Sequence, residues 1–465
     1  MTRRFVLVGA LALLAACSRS DSPVKADPDT TSPLPASALR LPRAGGMARA
    51  YDVPGLAELD WKPEDKLPPI QAIVGLGSEQ RLVFVRDARR NVVALELASG
   101  TIRGYLTNVR NAALGPDGSV FAVDTGGSVV RIARRNPVRY RSRLGARASS
   151  LAGTLDGRLL AFGAGGLSVL SQADSMRTLG LPAGPVAVTV WGDLIAVATD
   201  TGVVLLDPGE RRDTETVDID GATALAFSPS GHRLYVAETA NRIAEVDRFG
   251  LGILRRIEVP GAARSIRTDF YGRWLLVRPV TGDSVWVVDL ANGRHAGTFA
   301  APWGEDLPAV AGTRAALLRQ GDDVVALDLG RAGLPQAGRV EGGGTDFWLP
   351  AAWHPGGRGA HTEPAIARDG DAPAAPDTLA QSDASDTGER LFLQVSSSRN
   401  PDWARELTTK LRGIGLPAAT LDPAREGEAY RVVVGPYRSR EAADEAGRRL
   451  GMPYFVIAAS ADSAQ

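Results

Sequence analysis

One thiol, four imidazoles and a scatter of carboxylate and guanidinium groups are the chemistry this 465-residue chain can offer. The single Cys, Cys17, excludes a disulfide within the chain, and so few His and Cys give a metal centre too few ligands. His232, His295 and His354 stand apart without a second ligand at metal spacing, and neither a Gly-rich phosphate loop nor a nucleophile elbow appears. No catalytic residue, metal or cofactor is therefore expected. Asp207, Asp247, Asp289 and Asp328 could pass for paired carboxylates, yet they recur at one place in a repeat, where an Asp caps a turn by bonding its own backbone. Lys+Arg and Asp+Glu balance at 53 each, so no global field recruits nucleic acid or an anionic surface.

The elements that must position these groups fall into distinct stretches. The length suits two or three domains. With 44% hydrophobic residues, 23% charged and mean hydropathy −0.06, the chain is neither a polytopic membrane protein nor wholly disordered. Arg3 and Arg4, an apolar stretch over 5–14 and small residues before Cys17 read as a secretory signal, too short to span a membrane. The ending Leu14-Ala15-Ala16-Cys17 resembles the bacterial lipobox. That resemblance implies cleavage before an acylated Cys17, hence a lipid-anchored protein. Ser18 in place of Asp implies the outer membrane, facing the periplasm. Residues 18–68 form a tether and lead-in, rich in Ser, Pro, Asp and Ala and flexible to about residue 49, and 355–389 form an acidic linker.

Between the tethers, over 69–354, runs a repeat of short apolar stretches separated by Gly or Asp turns. Its turn glycines, Gly118, Gly157, Gly192, Gly231, Gly272 and Gly312, are spaced 39, 35, 39, 41 and 40 residues apart. A further copy without the glycine begins at Ser78. Seven copies of about 40 residues match four-stranded blades stacked as a seven-bladed β-propeller. The stretches 225–238 and 287–293 resemble the repeats of WD-like and YVTN-type propellers, although the WD dipeptide is absent. Residues 345–354 either close the ring or begin an eighth blade. In repeat register Arg86, Arg278 and Arg319 end the second strands of copies one, six and seven. In a seven-membered ring they would form a basic arc for an acidic protein partner.

The last 75 residues read β-α-β-β-α-β. Strands are expected at 391–395, 417–421, 430–434 and 454–457, with helices from Pro401 and from Ser439 to Leu450. This gives a small α+β module, an antiparallel sheet with both helices on one face. Gln394 and Phe392 share one parity of the first strand, opposite Leu391, Leu393 and Val395, and Arg431 opposes Val432 and Val434. The stretches 393–398, 430–437 and 439–443 resemble the motifs of the SPOR domain. Over 390–460 that resemblance implies binding to peptidoglycan glycan strands stripped of their peptides, which accumulate at division sites. By resemblance the contacts are Gln394, Arg431 and Ser397, with Ser397 just past its strand. Ala429 stands where some members have an aromatic ring, which leaves Phe392 and Tyr437 to stack on sugar, and Ser396 replaces a usual glycine. Amides, hydroxyls and an Arg fork suit a ligand of hydroxyl and acetamido groups. The favoured function is a non-enzymatic envelope lipoprotein whose propeller recruits an unidentified protein partner. The competing readings are a glycan-cleaving or glycan-modifying enzyme targeted by the C-terminal module, and a ligand-sensing propeller.

Overall fold

The computed structural model describes residues 36–355 apart from 78–80, 134–135, 146–147, 164–165, 211–212 and 249. Within 389–460 it describes all but 399–400, 414–415, 423–429, 438–442, 444–445 and 447–453. Cys17 and nearly all of the acidic linker thus lie outside the described residues, as do most residues of the expected second C-terminal helix. No helix among the described residues is long and apolar enough to cross a membrane.

The first sheet shows the plan of the repeat. Strands Ile70–Leu76, Leu82–Asp87, Val92–Glu96 and Ile102–Leu106 pair antiparallel in chain order. Sheets 2 to 7 repeat it, beginning at Val109, Ala148, Val186, Ala222, Ala263 and Ala309. The apolar runs are continuous because each sheet is covered on both faces. In strand Arg233–Glu238 of sheet 5, Leu234 and Val236 pack with Ala196 and Val203 of sheet 4. The intervening Tyr235 and Ala237 pack with Leu275 and Val277 of sheet 6.

An eighth, three-stranded sheet closes the ring among the described residues. Phe347–Ala351 pairs with Ser37–Leu41, which pairs in turn with Arg49–Asp52. Leu39 and Leu41 pack with Val83, Val85 and Leu95 of sheet 1, whereas Ala38, Tyr51 and Trp348 pack with Leu317, Val324 and Ala326 of sheet 7. With an apolar layer between every successive pair, the sheets form a β-propeller. Two expectations change here. The lead-in is ordered from Ser37, because its short SALRL run has a strand partner 314 residues away in sequence at Ala351. The first and seventh copies are not neighbours, because 347–351 begins an eighth sheet between them.

The turn glycines do what the spacing implied. Gly118, Gly157, Gly192, Gly231 and Gly272 each donate an amide hydrogen bond to the carbonyl three residues back, with φ between 67 and 77°. That is the region glycine enters without strain. At Gly192 a Cβ would also meet the Gly153 carbonyl of the next sheet at 3.0 Å. The recurring Asp residues are turn caps: Asp207, Asp289 and Asp328 accept the amides of Gly209, Ala291 and Gly330 at 2.6–2.9 Å, and Asp247 accepts that of Gly250 at 2.9 Å.

In the C-terminal module, strands Glu389–Ser398, Ala418–Leu421, Tyr430–Tyr437 and Phe455–Ser460 form one antiparallel sheet in the spatial order second, third, first, fourth. Helix Pro401–Gly413 lays Ala404, Leu407 and Leu411 on Leu393, Val395, Val432 and Val434. Ala443 and Ala446, the described positions of the expected second helix, join the same core.

The module meets the propeller at the hairpin turns of sheets 3 to 5. Leu155 and Trp191 are part of the module's helix-side core, and the Ser396 hydroxyl shares a 2.5 Å hydrogen bond with Nε2 of His232. An ion pair beneath fixes these turns. Arg248, its side chain 1% exposed, reaches Asp193 at 2.5 Å, and its amide donates to the His232 carbonyl. An edge of the His232 residue still reaches the surface, but dense packing about its imidazole removes the solvent a charge would need. That desolvation, reinforced by Arg248 and Arg233 and opposed by Asp193, pushes the imidazole down to about 3.

Two outcomes test this architecture. Trp348→Ala, which empties a fully buried site and removes the indole donor to the Gly343 carbonyl, should cost about 3–5 kcal/mol in denaturant unfolding, and deleting 37–52 should cost more. Since the folded His232 resists a proton that the unfolded chain accepts near pH 6.5, its contribution to stability is full above that pH and falls as pH drops toward 3. Melting curves of wild type should therefore descend more steeply from pH 6.5 to 4 than those of His232→Gln.

Candidate functional site

The helix-free face of the C-terminal sheet gathers the residues singled out from the motifs. Gln394 pairs across the sheet with Val433 and Phe455, and Arg431 pairs with Ser397 and Leu421. Opposite residues project to one side of a sheet. Gln394 and Arg431 therefore share the face of Val433 and Ala419, away from the helix-side Val432 and Val434. Both are half-buried, with surface left for a ligand. Ser397 lies inside its strand and not beyond it, because the strand runs three residues past the expected end and carries a bulge between Gln394 and Ser396.

Two aromatic expectations change. Phe392 is on the predicted face but only 2% exposed, closed in with Leu421 and Val433 by Ala419 and Ile457. It is a core side chain of that face and offers no ring to a sugar. Tyr437 packs on the helix-side core, and burial raises its phenol above the usual range. Its strand turns at Gly435, where φ is 138° and a Cβ would lie 3.0 Å from the Tyr437 ring and 3.2 Å from the Leu391 carbonyl. The glycine of the VGP motif is thus imposed by backbone geometry. What remains on the face is an amide and a guanidinium about an apolar patch, a surface suited to hydrogen-bonding an extended polar polymer.

Arg86, Arg278 and Arg319 stand on sheets 1, 6 and 7 of the propeller. Arg319 is fixed by two bonds to Asp306, at 2.8 and 3.0 Å, and by the carbonyls of Gly344 and Asp346. Its work is to hold the loop that leads into the eighth sheet, whose Trp348 amide donates to the same Asp306. Arg86 sits beyond that sheet, half-buried, with Glu305 as a nearby opposite charge. Arg278 lies beside Arg267, whose guanidinium stacks 4.6 Å over Trp303 and donates to the Gly304 and Pro308 carbonyls. The register placed all three at equivalent strand ends, and the eighth sheet stands between the sheet of Arg319 and that of Arg86.

The residues that sequence reasoning missed are those between the modules, His232, Trp191 and Ser396. Ser396 carried a faint signal, a hydroxyl in a position where glycine is usual.

Comparison with known proteins follows this division. No curated protein sequence matches the chain. Among solved structures, dihydro-heme d1 dehydrogenase NirN is similar over 68% of this chain and 75% of its own, at 14% identity and a TM-score of 0.49. The AztD protein of Citrobacter koseri is similar over 68% of this chain and 98% of its own, at 11% identity and a TM-score of 0.48. The propeller assignment rests on the eight sheets and the layers between them. Residues 387–455 match the family model of the SPOR domain, a peptidoglycan-binding module, and the C-terminal part of this chain is therefore a SPOR domain.

Proposed function

We propose that this chain is a lipid-anchored envelope protein, without catalytic activity of its own, that binds peptide-free glycan strands of peptidoglycan. The observation that carries the reading is the SPOR domain with Gln394 and Arg431 side by side on its helix-free face. An amide and a guanidinium offer several donors and one acceptor to sugar hydroxyls and acetamido groups, and neither requires the charged stem peptides. Peptide-free strands fit such a face because they lay hydroxyls along it without branches. Such strands place the protein at division sites. Acylation of Cys17 then holds the other end of the chain at the outer membrane, on its periplasmic side. With Arg319 tied to Asp306, the propeller's protein partner is taken to bind elsewhere on its surface.

Two experiments test this. In pelleting with purified sacculi, the protein should bind better after an amidase strips the peptides. Gln394→Ala and Arg431→Ala should each weaken binding roughly five- to tenfold, the size of a lost hydrogen bond of about 1–1.4 kcal/mol. The thermal transition should hardly move, and equal binding to intact and stripped sacculi would contradict the specificity. Cys17→Ser should release the protein from membranes or leave its signal uncleaved, since two or three acyl chains are needed for firm anchoring. Full membrane recovery of the variant with a lipid adduct at its N-terminus would refute the anchor.

A further inference from the structure

Among the described residues, the contacts between the propeller and the SPOR domain fall on one side of that domain. Leu155 and Trp191, in the hairpin turns of sheets 3 and 4, join the core formed by Leu393, Val395, Val432 and Val434 under the helix. Ser396, 4% exposed, pairs with Val432 and so belongs to the same side, where its hydroxyl meets His232 in the turn of sheet 5. Tyr454, which packs on this core, lies within electrostatic reach of Tyr271 in the turn of sheet 6. By contrast, the cluster on the Gln394 face, Phe392, Leu421 and Val433 with Ala419 and Ile457, contains no propeller residue among the described residues.

The propeller side is built to receive something. Trp191 is 8% exposed although it projects from a turn, where a large apolar ring would otherwise stand in water. Its turn is held by Thr189 bonding Asp193 at 2.6 Å, and Asp193 is locked in turn by Arg248 from the next sheet. Four consecutive turns, at the same level of four adjacent sheets, thus present an indole, an imidazole and a phenol in fixed positions. The complementary surface is the apolar core edge and the single hydroxyl of the SPOR domain.

We propose that the turn face of sheets 3 to 6 is a docking surface for the chain's own SPOR domain, and that the domain stays seated there while its opposite face holds glycan. The second half rests on the glycan reading above. The 33 residues between Pro355 and Glu389 could span about 110 Å if fully extended, so chain length alone leaves the domain's position open. Seating fixes that position, and the propeller is then carried on the wall at a set orientation.

Small-angle scattering of the full chain, with and without a soluble peptide-free glycan oligomer, tests this directly. Wild type should scatter as one compact particle. The double variant Trp191→Ser/His232→Ala should show a radius of gyration at least a tenth larger and a long tail of distances, with the melting of the propeller retained. If the double variant misfolds, Ser396→Ala supplies the same comparison from the SPOR side, with a smaller expansion. Identical profiles for wild type and the folded variants would overturn the docking surface. Adding glycan at saturation should leave the wild-type profile compact. Expansion to the profile of the double variant would overturn simultaneous seating and binding. A complete lack of glycan binding would refute the glycan reading and with it the second half of the proposal, while the variant profiles would still decide the docking surface.

Discussion

A β-sheet that is apolar on both faces cannot stand in water, and the propeller's architecture follows from the need to cover the faces of its eight sheets. Each sheet buries its neighbour's side chains in alternation, Leu234 and Val236 one way and Tyr235 and Ala237 the other. An open row of seven would leave two apolar faces bare, those of Val83, Val85 and Leu95 at one end and of Leu317, Val324 and Ala326 at the other. The eighth sheet covers both at once. Because it draws its strands from 37–52 and from 347–351, it also ties the beginning of the ring to its end. Arg319 belongs to this closure, since Asp306 receives both its guanidinium and the Trp348 amide.

Ring closure has a functional consequence. Turns that would be independent loops in an open array are set at one level, and bonds such as Arg248 to Asp193 lock neighbours together. A surface assembled from four turns then has the stiffness of the ring beneath it. Placing Trp191 and His232 on that surface creates a seat for the SPOR domain at the edge of its helix-side core, on the side away from Gln394 and Arg431. The two modules differ in construction: the propeller is held together by burial, and the helix-free SPOR face keeps Gln394 and Arg431 half in solvent.

The repeat was legible because its signals are local. Glycines with positive φ at Gly118 through Gly272 and Asp caps at Asp207 and Asp289 act over two to four residues, so spacing alone reveals them. The SPOR motifs were legible for the same reason, down to the glycine required at Gly435. What stayed hidden depends on distant partners. Ser37–Leu41 looks like the end of a polar tether until Phe347–Ala351 is set beside it, and the direct adjacency of the copies that carry Arg86 and Arg319 is lost once that sheet intervenes. Phe392 has the right parity for an exposed ring, but parity says nothing of how tightly Leu421, Val433 and Ile457 close around it. The bond between Ser396 and His232 joins residues 164 apart, and a serine in place of a glycine was its only trace.

The most direct test of the account is a crystal structure of the chain soaked with a peptide-free glycan oligomer. It should show the sugars lying across the helix-free face of the SPOR sheet, with polar contacts from Gln394 and Arg431. Sugars bound on the propeller, or on the helix side of the module, would contradict it.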